Sequence, residues 1–213
     1  TSRRQRQMCI RDRLYGVTGS GKTAVFLHVI RHVLTVGKGV IVTVPEISLT
    51  PQTLAVFTAA FGDTVAVFHS GLSAGERMDE WKRVRTGRAK IVVGTRSAVF
   101  APVQNLGLIV MDEEQESTYK SESTPRYHAR DIAKFRVNYN RAYCLLCSAT
   151  PSVESYYMAQ SGKYRYHALH HRYGDAVVPT VQLVDMNNED LYRGKPMISM
   201  APVSYTHLRA HET

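Results

Sequence analysis

Residues 16–23 read Gly-Val-Thr-Gly-Ser-Gly-Lys-Thr, a complete G-x-x-x-x-G-K-[ST] string, and this stretch restricts the fold more than any other. Such a loop works only between a strand that delivers it and a helix that it opens. Gly16, Gly19 and Gly21 free the backbone to turn its N–H groups inward around phosphate oxygens, with Thr18 and Ser20 between them. The helix that follows adds the positive end of its dipole. Lys22 is placed to reach the β- and γ-phosphates of a nucleoside triphosphate such as ATP, and the Thr23 hydroxyl to ligate Mg²⁺.

The rest of the chain agrees with that demand. Short apolar runs (Val40–Val44, Val65–Phe68, Ile91–Val93, Leu108–Met111, Tyr143–Cys147, Val181–Val184) alternate with segments of helical spacing, and Leu14–Tyr15 reads as the stump of a first strand. Helices are predicted over 22–34, from Pro51 to Phe61 with Gly62 as the stop, from the S-x-x-E capping box of Ser73 and Glu76 to Gly87, over 129–139, and from Pro151 to Gly162. The fold class is α/β: a three-layer P-loop NTPase (RecA-like) lobe with a mostly parallel sheet.

Composition sets outer bounds. At 213 residues and 44% apolar, the chain holds enough for one packed domain. It lacks the long apolar run a transmembrane helix needs, so no membrane partner is expected. Three cysteines suit a reducing, cytoplasmic setting rather than a disulfide scaffold. The net charge is +9, but residues 1–13 carry Arg3, Arg4, Arg6, Arg11 and Arg13 against Asp12, so the excess elsewhere is mild. Residues 1–13 and 203–213 show no period and no caps, and read as non-native or disordered tails. Between them, 14–185 reads as one ATP-binding lobe and 186–202 as the start of a linker, which makes the chain a fragment of a longer protein.

A second motif completes the chemistry. Leu108 to Gln115 reads L-I-V-M-D-E-E-Q, an apolar strand that delivers carboxylates at its C-terminal end, where parallel sheets bind ligands. Asp112 is assigned to Mg²⁺ through its water shell and Glu113 to the attacking water. Ser148-Ala149-Thr150 follows another buried run. Alone it also reads as a helix cap before Pro151. The order P-loop, D-E-x-[HQ], S-A-T is that of a helicase-type motor.

At this point the chain resembles the first motor lobe of the primosomal protein N′ (PriA) family, the replication-restart DNA helicases of superfamily 2. The match is carried by G-V-T-G-S-G-K-T (16–23), V-P-E-I-S-L-T-P-Q (44–52), H-S-G-L-S (69–73), G-T-R-S-A-V-F-A-P (94–102), D-E-E-Q-E-S-T-Y-K (112–120), R-Y-H-A-R-D (126–131) and S-A-T-P-S-V-E-S (148–155). The resemblance implies ATP-driven, 3′ to 5′ unwinding of single-stranded and forked DNA, a second helicase lobe and primosome proteins as partners. It implies that Pro45, Glu46, Leu49 and Thr50 line the DNA track, that Thr95 and Arg96 form a second track segment, and that Ser148 and Thr150 couple the two sites. It also makes residues 119–130 an aromatic-rich loop that senses single-stranded DNA and signals to the ATP site, in which Tyr119, Tyr127 and His128 are suited to stack on bases with Lys120, Arg126 and Arg130 beside the backbone. Composition alone leaves an ordinary surface loop equally open. Where the family usually has His, this chain has Gln115, which can still donate and accept hydrogen bonds toward Ser148 or Thr150, so the departure bears on coupling strength more than on nucleotide binding. Two other readings stay open: another superfamily 2 DNA translocase (a restriction or recombination motor), and a catalytically silent module that binds DNA or protein.

The remaining features read plainly. Cys144 and Cys147 sit at i and i+3 of a strand and face opposite sides, so they are core residues and no zinc is expected in this fragment. His167, His170 and His171 read as a solvated loop. Lys82, Arg83, Arg85, Arg88 and Lys90 read as the exposed side and end of a helix that Trp81 anchors.

Overall fold

A computed structural model describes residues 11–172. The run Val181–Val184, the linker 186–202 and the tail 203–213 lie outside the described residues, as do residues 1–10. A sheet of seven parallel strands runs β3-β4-β2-β5-β6-β1-β7. In chain order these are β1 (Arg11–Gly16), β2 (Gly39–Thr43), β3 (Val65–Phe68), β4 (Ile91–Gly94), β5 (Leu106–Met111), β6 (Tyr143–Ser148) and β7 (Arg165–Leu169). The helices are α1 (Lys22–Thr35), α2 (Pro51–Phe61), α3 (Ala74–Arg85), α4 (Ala129–Asn140) and α5 (Val153–Gln160).

The sheet is buried on both faces, and its side chains divide at a period of two. Ile41, Val92, Ile109, Met111 and Cys144 enter one core with residues of α3, α4 and α5, joined at its margin by Trp81. Val40, Val42, Ile91, Val93, Val110 and Cys147 enter the other with Phe26, Ile30 and Phe57. The two cysteines thus occupy opposite faces, both buried and neither in a disulfide among the described residues. Phe26 stacks on Phe57 at 6.1 Å, fixing α1 to α2.

The caps explain where the helices begin. Thr50 caps α2 with Pro51 in its first turn, and Ser73 and Glu76 make the reciprocal capping box of α3. α5 opens at Val153 rather than at Pro151, capped by Ser152. At the sheet edge the Val67 N–H of β3 donates to Glu80 Oε2 of α3 at 2.9 Å.

Two expectations change. β1 starts at Arg11 rather than Leu14, so the sheet takes the end of the expected 1–13 tail. A buried arginine leaves no hydrophobic trace, and Arg13 is 0% exposed because a carboxylate 101 residues away meets it. Residues 165–169, expected as part of a loop, form β7 and pair with β1. That edge strand is mostly exposed, so no buried alternation announces it.

Because all strands are parallel, every C-terminal end opens on one rim. β5 stands between the β3-β4-β2 half and the β6-β1-β7 half. Among the described residues the opposite rim carries the turns that feed the strands, with positive φ at Gly37, Gly62, Gly87, Asn105, Arg141 and Gly162.

Candidate nucleotide pocket and the adjoining groove

The loop after β1 and the turn after β5 meet across the end of β6. Thr18 to Ala24 together with Asp112 and Glu113 line an open pocket of about 450 Å³. Gly19 and Gly21 hold φ of 79° and 84°, which only glycine adopts without strain. Gly16 allows close approach, since a Cβ there would stand 2.3 Å from Ser20 Oγ. No side chain caps α1, whose first turn therefore keeps its N–H groups for a ligand. Ser20 Oγ is buried without a partner. Lys22 Nζ donates to the Gly16 carbonyl at 2.7 Å, folded over the loop that it would leave for a phosphate.

The acidic side is equally unsatisfied. Burial first, and then the neighbouring Glu113 charge, push the Asp112 carboxyl up to about 6, with Lys22 pulling the other way. Glu113 sits at φ 44°, a strained position for a side chain of its type, and its N–H donates to Asp112 Oδ1 at 3.1 Å. A divalent cation and a polyphosphate fit these groups: the loop presents donors, and among the described residues no cation stands within salt-bridge distance of either carboxylate.

From Glu113 a chain of bonds runs along the rim. Gln115 Nε2 donates to Glu113 Oε2 at 2.9 Å, and Ser148 Oγ donates to Gln115 Oε1 at 2.6 Å. The Thr150 N–H in turn donates to Ser148 Oγ at 2.9 Å. Glutamine at position 115 therefore makes a bond to the end of β6.

On the other side of β5 the ends of β2, β3 and β4 form a polar groove of about 380 Å³. Val44, Glu46, His69, Ser70, Arg77, Thr95, Arg96, Ser97, Thr118 and Tyr127 line it. Tyr127 packs edge-on against Phe100 at 5.0 Å, and the Arg96 guanidinium lies 5.9 Å from the Tyr127 ring. Arg96 Nη1 also donates to the carbonyls of Lys120 at 2.6 Å and Thr118 at 3.3 Å. Ser70 donates to Glu46 across the groove.

Of the sequence-predicted track residues, Glu46, Thr95, Arg96 and Tyr127 line this groove. Pro45 is buried, and Thr50 spends its hydroxyl on the α2 cap. Lys120 and Arg126 are exposed beside the groove without lining it. Tyr119 cannot stack on a base: it is 0% exposed and its hydroxyl donates to the Asp112 carbonyl at 2.7 Å. Burial raises that phenol well above its ordinary range. His128 caps α4 instead, accepting from the Arg130 N–H at 3.1 Å, and burial lowers its imidazole toward the neutral form this needs. Arg130 turns away from the groove to Glu114, 3.1 Å from Oε2.

Sequence reasoning missed Glu114. It is 1% exposed and accepts from Arg13 Nη2 at 3.2 Å, the Ser152 N–H at 3.1 Å and Ser155 Oγ at 2.5 Å as well as from Arg130. Burial alone would raise its carboxyl, but the Ser155 hydroxyl, the Ser152 N–H and the two guanidinium groups together hold it below its ordinary value. The only signal was a third acid in the D-E-E-Q string, and its partners are scattered over the sequence. His69, Ser70 and Arg77 were missed as groove residues for the same reason.

The sequence model described as DEAD/DEAH box helicase matches residues 4–159. The chain is 51% identical over 187 residues to the replication restart protein PriA of Bacillus subtilis, covering 88% of this chain and 23% of that protein. It is 48% identical over 184 residues to PriA of Chlamydia muridarum, covering 86% of this chain and 24% of that one. The chain thus spans about a quarter of the length of these curated relatives. Among solved structures, RecG bound to a three-way DNA junction superposes with a TM-score of 0.55 at 22% identity, over 76% of this chain and 21% of that one. The Hef helicase domain of Pyrococcus furiosus gives 0.53 at 18% identity, over 79% of this chain and 36% of that one. These two share the fold.

Proposed function

The chain belongs to the DEAD/DEAH box helicase family, and from that premise we propose that it is the ATP-binding lobe of an ATP-dependent DNA helicase acting in replication restart. The observation that carries this reading is the rim itself. One strand, β5, ends in residues that serve the pocket (Asp112, Glu113) and continues into residues that wall the groove (Thr118, Tyr127). The identity to PriA proteins supports replication restart over other translocases.

In this reading the glycine loop and the first turn of α1 bind the phosphates of ATP, and Lys22 leaves the Gly16 carbonyl to pair with the β- and γ-oxygens. Thr23 and Asp112 hold Mg²⁺, which when bound neutralises charge on the transferred phosphoryl group. Glu113 orients the attacking water and takes its proton. Gln115 fixes the Glu113 carboxylate and, through Ser148, reports its position to the end of β6. Thr95, Arg96 and Tyr127 contact single-stranded or forked DNA, by phosphate hydrogen bonds and base stacking. The intact protein unwinds in the 3′ to 5′ direction, acts with primosome proteins and works in the cytoplasm. Among the described residues no helix is long and apolar enough to cross a membrane.

The partner of this lobe is a second helicase lobe, whose arginine finger contributes about 10³–10⁵ in rate in related phosphoryl transfer. The isolated chain therefore binds Mg-ATP and turns it over slowly. Titration with Mg-ATP should show binding that Lys22→Ala abolishes; equal binding by the two proteins overturns the nucleotide reading. Retained nucleotide binding with no response to single-stranded DNA in the intact protein would instead favour a silent module.

A further inference from the structure

Glu46 is the one carboxylate among the described residues that line the groove after β2, β3 and β4. Its side chain is exposed, and Ser70 donates to its Oε1 across the groove. Arg77 and Arg96 line the same groove, yet among the described residues no cation stands within salt-bridge distance of Glu46. Arg96 Nη1 is spent on the carbonyls of Thr118 and Lys120, and Arg77 Nη2 lies 3.4 Å from the Leu72 carbonyl. The other polar lining groups can donate. His69 accepts the Gly71 N–H at Nδ1, at 3.1 Å, and so carries its own proton on Nε2, while Thr95, Ser97 and Thr118 bring hydroxyls. A helix dipole does not account for the carboxylate, because the element it opens is a single 3-10 turn, Glu46–Ser48.

A groove suited to a polyanion therefore holds one group that only accepts hydrogen bonds and that repels phosphate. A strand lying there turns its phosphates toward the guanidinium and hydroxyl groups and must offer Glu46 a donor. Deoxyribose within a continuous strand has no free hydroxyl, so the donor is a base edge. Cytosine presents a 4-amino group, which a carboxylate accepts; uracil and thymine present a carbonyl oxygen at that position, which a carboxylate repels. We propose that Glu46 reads the base edges of the bound strand and makes the groove prefer cytosine over uracil or thymine. The inference rests on the reading of this groove as the DNA track, and its test separates the two.

The test compares single strands of equal length, one of deoxycytidine and one of deoxyuridine, whose rings differ only in the 4-amino or 4-oxo group and the proton on the nitrogen beside it. Anisotropy titrations of the chain above neutral pH should show the deoxycytidine strand bound about two- to tenfold more tightly, the range of one hydrogen bond. Glu46→Gln removes the charge and brings a donor of its own. It abolishes the preference, chiefly by tighter binding of the deoxyuridine strand. A merely structural role would lower the melting temperature of Glu46→Gln and leave the preference intact, and that result overturns the proposal, as does an equal loss of affinity for both strands. If Glu46→Gln does not fold, Glu46→Asp withdraws the carboxylate by one methylene and must narrow the preference; an unchanged preference overturns the proposal. A preference that vanishes when magnesium is replaced by a chelator assigns the carboxylate to a bridging cation and overturns it equally. Arg96→Ala and Tyr127→Ala locate the binding. If neither weakens it, the groove reading falls and this proposal with it. If they weaken it while the wild-type chain shows no preference, this proposal falls alone.

Discussion

Two carboxylates lie two positions apart on the turn after β5, and the regions around them are opposites. The pocket around Asp112 gathers groups that do not satisfy one another: a carboxyl pushed up to about 6, an unpartnered Ser20 hydroxyl, and a lysine resting on its own loop. Around Glu114 the neighbours converge as donors, and the carboxyl is held below its usual value. A region that keeps its polar groups waiting is built to receive a ligand, and that readiness costs folding stability. A region that satisfies them is built to hold elements together. The contrast explains why two acids of one motif have unrelated jobs.

The largest expected effect tests the satisfied side. Glu114→Ala leaves the guanidinium of Arg13, which is 0% exposed, and that of Arg130 without their carboxylate, and should destabilise the lobe by about 3–5 kcal/mol in urea denaturation. A loss below about 1 kcal/mol would mean that this knot holds little together.

A smaller effect of opposite sign tests the other side. Asp112→Asn should stabilise the ligand-free lobe at neutral pH by up to about 3 kcal/mol, because the folded carboxyl is raised from 3.8 to about 6. The direction with pH is fixed: the raised group favours folding when protonated, a contribution fully present below 3.8 and lost as pH rises through about 6. The advantage of Asp112→Asn should therefore shrink on acidification from pH 7 to below 4. An advantage independent of pH would show that the carboxyl is not strained in the folded lobe.

The smallest effect sits on the border between the two. Tyr119→Phe removes the hydroxyl that ties segment 117–130 to the Asp112 carbonyl and should cost about 1 kcal/mol. DNA affinity should fall far less than for Tyr127→Ala, whose ring lines the groove and for which base stacking is worth about 1–3 kcal/mol. Equal losses of DNA affinity would show that the hydroxyl tie to the Asp112 carbonyl matters to the groove as much as the Tyr127 ring does.

How much of this was readable in advance follows from distance along the chain. The glycine loop is contiguous, so residues 16–23 declare both their geometry and their chemistry. The central strands repeat apolar residues on both faces, and β2, β4 and β5 are wholly buried. β7 escaped because it is an exposed edge, and Arg13 because its partner is far away in sequence. The aromatic segment near 119–128 contributes Tyr127 to the groove lining. Composition carries no direction, however, so it could not show that Tyr119 points into the core while Tyr127 faces the groove.

The one-sided rim has a practical consequence. The feeding turns at Gly37, Gly87 and Arg141 open away from both the pocket and the groove. A fluorophore or an affinity peptide inserted there reports on the lobe as a whole without standing in the way of either ligand. A pair of dyes on the turns at Gly37 and Arg141 would stay at a fixed separation while the opposite rim changes shape, a built-in ruler against which any nucleotide-driven movement can be measured.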